Sequence, residues 1–135
     1  MDPKTAFPLL ARAEAALLTG DPSLPVTRVP DGLAVALPLE RGDGDLVVVY
    51  VVPSSDGLRL VDDGAGIPDL DAAGRLPEDG SWQAALTAAG LGYDEAGCEI
   101  FADVPDIEAI HGQVLTMGRA LHALHEAQGA DPVRN

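Results

Sequence analysis

Four aspartates could meet at one end of a sheet and bind a divalent cation. Asp43 and Asp45 lie in a polar loop between two apolar segments, and Asp62 and Asp63 directly follow a third. Clustered carboxylates supply the oxygen ligands that Mg²⁺ and Ca²⁺ prefer. The loop lacks the further ligands of a calcium-binding loop, and solvated turn aspartates would give the same pattern. We therefore expect no cofactor, with a metal-dependent hydrolase that uses Asp45, Asp62 and Asp63 as an alternative.

The segment Asp62–Ile67 reads Asp-Asp-Gly-Ala-Gly-Ile. It resembles the D-x-G-x-G-I motif of the GHKL-type ATPases, in which an aspartate reads adenine and glycines let the backbone approach the nucleotide. That family also requires an asparagine that binds magnesium on an upstream helix, and the one asparagine here is Asn135. The same residues can instead turn a strand into a helix, with an aspartate capping the turn. We expect no ATP binding, and a small-ligand or metal-binding regulatory domain around this turn is an alternative.

The histidines and the single cysteine carry no motif of a catalytic or zinc site. His122 and His125 are three residues apart on a predicted helix, whereas the His-Glu-x-x-His motif of zinc hydrolases places its histidines four apart. One cysteine cannot form a disulfide within the chain. We expect Cys98 to be a partly buried thiol that packs as a small apolar residue.

The charge of the chain excludes several kinds of partner. It has 22 acidic and 8 basic residues and a formal net charge of -14. Such a field repels phosphate backbones and anionic lipids, so we expect neither nucleic acid nor a membrane as a partner. The longest apolar run is far shorter than the roughly 20 residues of a membrane helix, and the first residues show no signal-peptide pattern. We therefore expect a cytoplasmic protein.

An acidic surface can keep a protein soluble or attract a basic partner. With no specific catalytic motif, elimination favours a small non-catalytic binding or adaptor protein that recognises another protein, one that is basic if the charge takes part. The candidate binding residues are Asp43, Asp45, Asp62, Asp63, Asp69 and Asp71.

The hydrophobic pattern predicts a helix, a series of strands and further helices. Thr5–Thr19 carries an apolar stripe at helical spacing, formed by Phe7, Leu10, Ala13, Leu17 and Leu18, with Pro8 in the first turn. The predicted strands are an edge strand Leu24–Val29 and then Leu33–Leu39, Leu46–Val52, Leu58–Val61 and Glu99–Asp103. The unbroken β-branched run within Leu46–Val52 indicates a central strand buried on both faces.

The second half of the chain is mainly helical in pattern. Ile67–Gly74 is a short predicted helix, Ser81 is the expected cap of a helix over Trp82–Ala89, and Asp106–Gln128 is a long helix. Together these elements predict one α+β domain over residues 1–129, followed by a frayed tail at 130–135. Its antiparallel sheet has four to five strands, and the N- and C-terminal helices pack on one face of it.

The middle of the chain also resembles a known family. The strand Asp45–Val52, the acidic turn that closes Leu58–Gly64 and the short Asp-Leu-containing helix Ile67–Gly74 resemble the DUF1828 family of small bacterial and phage proteins. That family has no established activity. Its frequent phage and mobile-element setting implies a role in host–phage interaction, and this is an implication of the resemblance.

Overall fold

The computed structural model of the chain describes residues 3–40, 46–62, 66–72, 74 and 80–128. Its elements are α1 (Pro3–Gly20), β1 (Val26–Val29), β2 (Gly32–Glu40), β3 (Leu46–Pro53), β4 (Leu58–Val61), α2 (Gly66–Ala72), α3 (Ser81–Ala88), β5 (Gly92–Asp94), β6 (Glu99–Val104), a 3₁₀ turn (Ile107–Ala109) and α4 (Ile110–Gln128). The predicted tail at 130–135 lies outside the described residues.

The strands form one antiparallel sheet in the order β1-β2-β3-β4-β6-β5. The first four strands are neighbours both in sequence and in the sheet, so they form an antiparallel meander, with β1 as the predicted edge strand. The count of four to five strands was too low, because the described sheet has six. The missed strand is β5, whose three residues are too few to show the alternation that identifies a strand.

Helix α1 begins at Pro3 and not at Thr5. Pro8 is therefore the sixth residue of the helix and lies inside it, contrary to its predicted place in the first turn. Proline lacks the N–H that would donate to the carbonyl four residues earlier, so the helix loses one backbone hydrogen bond near its start. The apolar stripe is confirmed at Ala13 and Leu17, which are fully buried, but Phe7 is 72% exposed.

Strand β3 is central, as predicted, but its two faces differ. Val47, Val49 and Val51 are at most 2% exposed, whereas the alternate residues Val48 and Tyr50 are only half-buried. The prediction that this strand is buried on both faces is therefore wrong. The helices supply one layer of cover, and that layer lies on the side of Val47, Val49 and Val51.

The helices pack on this one face and share its core. α4 contacts α1 and strands β2 and β3, and α2 and α3 also contact α4. The shared core includes Leu17 of α1, Trp82 and Leu86 of α3, and Met117 of α4. The prediction that the first and last helices lie on the same face is confirmed. No helix among the described residues is long and apolar enough to cross a membrane.

Two predicted helix starts need correction. Ser81 is the first residue of α3, and the cap position belongs to Gly80, which adopts a left-handed conformation with φ of 75° and offers no side chain to accept a cap bond. The long helix starts later than Asp106. The Asp106 carboxylate accepts the Glu108 N–H at 3.1 Å and caps the 3₁₀ turn, and the α-helical hydrogen bonding follows from Ile110.

Candidate functional site

One face of the sheet carries apolar side chains that no described helix covers. We call it the open face. Strand alternation and register place on it the residues Thr27, Ala34, Ala36, Leu46, Val48, Tyr50, Val52, Arg59, Val61 and Phe101. Leu46 is 48% exposed, and most of the others are half-buried. Isolated exposed apolar residues are ordinary, but a contiguous apolar face on a sheet is a feature of docking surfaces.

The open face is separate from the hydrophobic core. The core cluster of the described residues, together with the partly buried side chains that pack against it, contains none of the open-face residues. Val61 shows the separation best, because it is 4% exposed and yet lies outside that cluster. Its cross-strand neighbours Tyr50 and Phe101 flank it on either side in the register.

A continuous row of side chains crosses the whole open face. The register pairs Thr27 with Ala34 and Ala34 with Tyr50, then Tyr50 with Val61, and Val61 with Phe101. Phe101 in turn pairs with Gly92 on the edge strand β5. Side chains directly opposite one another on neighbouring strands lie about 4.5–5.5 Å apart at Cβ, so the row forms one apolar strip.

Phe101 is the aromatic centre of the open face near β5. A Cβ on Gly92 would lie 2.5 Å from Cζ of Phe101, so the ring covers the bare backbone of Gly92. The guanidinium carbon of Arg59 lies 4.3 Å from the ring centroid, within the range of a cation–π contact. Arg59 also donates from Nε to the Asp103 carboxylate at 2.9 Å. On the open face, the Arg59 guanidinium of β4 thus contacts both the Phe101 ring and the Asp103 carboxylate of β6.

The Asp62 carboxylate joins the end of β4 to β6. Asp62 is 8% exposed, its N–H donates to the Ile100 carbonyl at 3.1 Å, and its Oδ1 accepts the Ile100 N–H at 2.9 Å. In an antiparallel pair the carbonyl of Asp62 would normally accept that N–H. The side chain takes its place, which lets the main chain leave the sheet while the ladder stays complete.

The other predicted acidic site residues do not share this environment. Asp71 is exposed on α2, and Asp69 lies on the same helix. Asp43, Asp45 and Asp63 lie outside the described residues. Within the part of the chain that is described, no three His, Cys, Asp or Glu side chains are grouped as metal ligands would be.

Tyr93 and Cys98 lie on the β5–β6 hairpin. The Tyr93 ring meets the Trp82 ring edge to face, with centroids 5.1 Å apart. Burial is the main cause that raises the pKa of Tyr93, and a side-chain hydrogen bond with Cys98 adds to it. Cys98 is partly buried, as predicted, and has a left-handed backbone with φ of 55°. Its Sγ lies 3.7 Å from the Glu95 carbonyl oxygen, which is a local turn contact.

The two neighbouring histidines of α4 have different surroundings. His122 Nδ1 lies 2.7 Å from the carbonyl oxygen of Glu40 at the end of β2, and its Nε2 lies 3.7 Å from Glu126. His125 is 7% exposed and belongs to the buried side of the helix. His122 thus links α4 to the sheet, and the pair does not converge on a common solvent-facing site.

A groove of about 310 Å³ lies between α1 and the β1–β2 hairpin, with the exposed Phe7 on its wall. Its charged groups are already paired, because Arg28 donates to both carboxylate oxygens of Glu14 at 3.0 Å. This pair lowers the pKa of Glu14, chiefly through the hydrogen bond from Arg28. The groove offers apolar walls but no charge left over to orient a small ligand.

Sequence reasoning about carboxylates did not identify the open face. A signal was present in the unbroken apolar run of β3, which predicts apolar side chains on both faces. Such a strand leaves an apolar surface on whichever face no other layer covers, and apolar surface of this kind is a feature of docking sites.

No family model, curated protein or solved structure matches this chain. The function is therefore inferred from the geometry of the open face and its charges.

Proposed function

We propose that this chain is a non-catalytic binding protein that recognises another protein through the open face of its sheet. The observation that carries the proposal is the apolar row from Ala34 through Tyr50 and Val61 to Phe101, which lies outside the core. Covering this row would remove apolar area from water, and that is the main favourable term in protein association.

The partner is basic at its contact surface. The formal net charge of -14 attracts cationic proteins and speeds their encounter, an effect that salt screens over about 8 Å at physiological ionic strength. The same charge opposes close association of two copies of the chain.

The hydrolase and ligand-binding alternatives have less support. The hydrolase alternative requires Asp62 to present its carboxylate to a metal ion, and the ligand-binding alternative places Asp62 at the start of its Asp62–Ile67 turn. Its Oδ1 is instead engaged with the Ile100 N–H, and the residue is 8% exposed. The contact of Oδ1 with the Ile100 N–H closes the end of the sheet without any ligand.

Capture from the source lysate tests the proposal when it is combined with matched variants. Val48→Lys places a charge in the middle of the open face, and Ala123→Lys places the same charge at an exposed position of α4. We expect the wild type and Ala123→Lys to retain the same protein, and Val48→Lys to lose it while its melting transition stays cooperative.

The retained protein is then purified and titrated against all three chains. Direct binding that Val48→Lys abolishes supports the proposal. Equal binding to Val48→Lys and Ala123→Lys would show that the open face is not the docking surface.

A further inference from the structure

Along β6, the acidic residue on one side of Phe101 has a cationic partner, whereas the acidic residue on the other side faces a second acid. Residues 99, 101 and 103 of β6 alternate onto the open face as Glu99, Phe101 and Asp103. Asp103 has a cationic partner, Arg59, at 2.9 Å, and that guanidinium also lies over the Phe101 ring.

On the side of Phe101 away from Asp103, two carboxylates face each other across β5 and β6. Asp94 is the register partner of Glu99, so two acids stand directly opposite each other on neighbouring strands. Like charges in this position repel each other. Among the described residues, no cationic side chain lies within ion-pair distance of either carboxylate.

Both carboxylates lie beside Gly97. An atom at the Cβ position of Gly97 would lie 3.6 Å from Oδ2 of Asp94 and 3.9 Å from Oε1 of Glu99. Glycine leaves this point without a side-chain atom, and Gly97 itself is exposed. A cationic side chain that approaches from solvent on this side can come near both carboxylates and reduce their repulsion.

The edges of the sheet are poorly suited to binding an extended segment. Pro25 and Pro30 flank the four-residue edge strand β1, and the other edge strand, β5, has three residues. Prolines and short edges hinder the addition of a strand. A segment on the open face would find apolar side chains and no backbone partners, so it must satisfy its own backbone hydrogen bonds, which a helix does.

We propose that the partner docks an amphipathic helix on the open face, with its apolar stripe along the row from Tyr50 to Phe101 and a lysine or arginine between Asp94 and Glu99. This rests on the proposed function, and it adds the helical form of the partner and the place of its cation. The bound cation would mirror Arg59, which occupies the other side of Phe101.

The test uses two synthetic helical peptides of about five turns, or 18 residues. Both carry one leucine stripe, flanked by lysine in one peptide and by glutamate in the other. Each is titrated into the ¹⁵N-labelled full chain at physiological ionic strength, where charges are screened over about 8 Å, and amide shifts are followed by NMR. We expect saturable binding of the lysine peptide, with shifts at Tyr50, Val61 and Phe101 and also at Asp94 and Glu99.

Charge removal separates the cation site from general attraction. The double variant Asp94→Asn with Glu99→Gln should bind the lysine peptide about fivefold more weakly, as expected for the loss of exposed ion pairs worth about 1 kcal/mol in total. The control removes two charges elsewhere, with Asp31→Asn and Asp71→Asn, both at exposed positions. The control should bind within about twofold of the wild type, because distant charges are screened.

Each other outcome contradicts a stated part of the inference. Equal binding of both peptides to the open face, or equal weakening by the double variant and its control, would overturn the cation site and leave the docking face standing. Shifts confined to the helical side, or no saturable shift with either peptide, would overturn the docking face as well. Sedimentation that shows a dimer broken by Val48→Lys would assign the open face to a second copy and overturn the helix.

Discussion

The Asp62 carboxylate accepts the backbone N–H of Ile100 at 2.9 Å, and the Asp62 N–H donates to the Ile100 carbonyl at 3.1 Å. Ile100 is fully buried, so its N–H has no access to water if the carboxylate is removed. We expect Asp62→Ala to lower the free energy of unfolding by about 1–3 kcal/mol, the usual cost of a buried donor without its acceptor.

Urea denaturation measures this loss, and Asp62→Asn is the matched control. Asparagine keeps an oxygen that can accept the Ile100 N–H, so it should be less destabilising than alanine. If alanine is as stable as the wild type, the Asp62 side chain does not hold the end of β4, and its carboxylate becomes a candidate for binding again.

Two adjacent valines of β3 should respond very differently to the same substitution. Val49 is fully buried in the core, and Val48 lies half-buried on the open face. Val49→Asp should abolish folding, because an unpaired buried carboxylate costs several kcal/mol against a total stability of about 5–15 kcal/mol. Val48→Asp should remain folded, because its carboxylate can reach water.

Thermal melts followed by circular dichroism compare the two variants. A cooperative melt for Val49→Asp would mean that this face of β3 is not the core. Unfolding of both variants would mean that the open face is covered within the folded chain.

Gly112 and Gly118 of α4 differ in how much space surrounds them, because only Gly118 lies close against a side chain of the sheet. A Cβ on Gly118 would come 2.0 Å from Cδ1 of Leu37, whereas one on Gly112 meets nothing within 4 Å. Gly112→Ala should stabilise the chain by about 0.5–1 kcal/mol, since alanine is the better helix former. Gly118→Ala should destabilise it by about 1–3 kcal/mol, because Leu37 must move within a packed core.

Chemical denaturation of the two alanine variants tests the contact. Equal stabilisation by both substitutions would show that α4 does not approach β2 closely at Gly118.

The raised pKa of Tyr93 predicts that the folded chain loses stability at alkaline pH. The pKa of Tyr93 is raised in the folded chain above its ordinary value of 10.0, so the folded state holds this proton more tightly than the unfolded state. The resulting stabilisation is complete below pH 10.0 and declines as the pH rises from there through the folded pKa. We expect Tyr93→Phe to remove this part of the decline.

Urea midpoints between about pH 9 and pH 11 provide the measurement, with tyrosinate absorbance as a direct readout of ionisation. The wild type and Tyr93→Phe should diverge in slope above pH 10. Parallel curves over the whole range would mean that Tyr93 titrates alike in both states.

Local pattern determined most of the elements of this chain. The apolar spacing of α1 and α4, the turn residues between β1 and β4, and the β-branched run of β3 each act over a few neighbours, and each predicted its element to within a few residues. Short or irregular elements escaped, such as β5 with three residues and the Gly80 cap of α3, because three residues show no period and a left-handed cap leaves no side-chain signal.

The candidate site depended on the tertiary structure. An apolar run such as Val47–Val52 determines that both faces of a strand are apolar, but which face the helices cover depends on how residues far apart in sequence pack together. The role of Asp62 is of the same kind, because the sequence shows an acidic turn, and only the register of β4 with β6 brings the Ile100 N–H to its carboxylate. Hydrophobic and turn preferences are local and can be read from neighbouring residues. Which face of the sheet the helices cover, and which residues lie opposite one another on neighbouring strands, depend on contacts between distant segments.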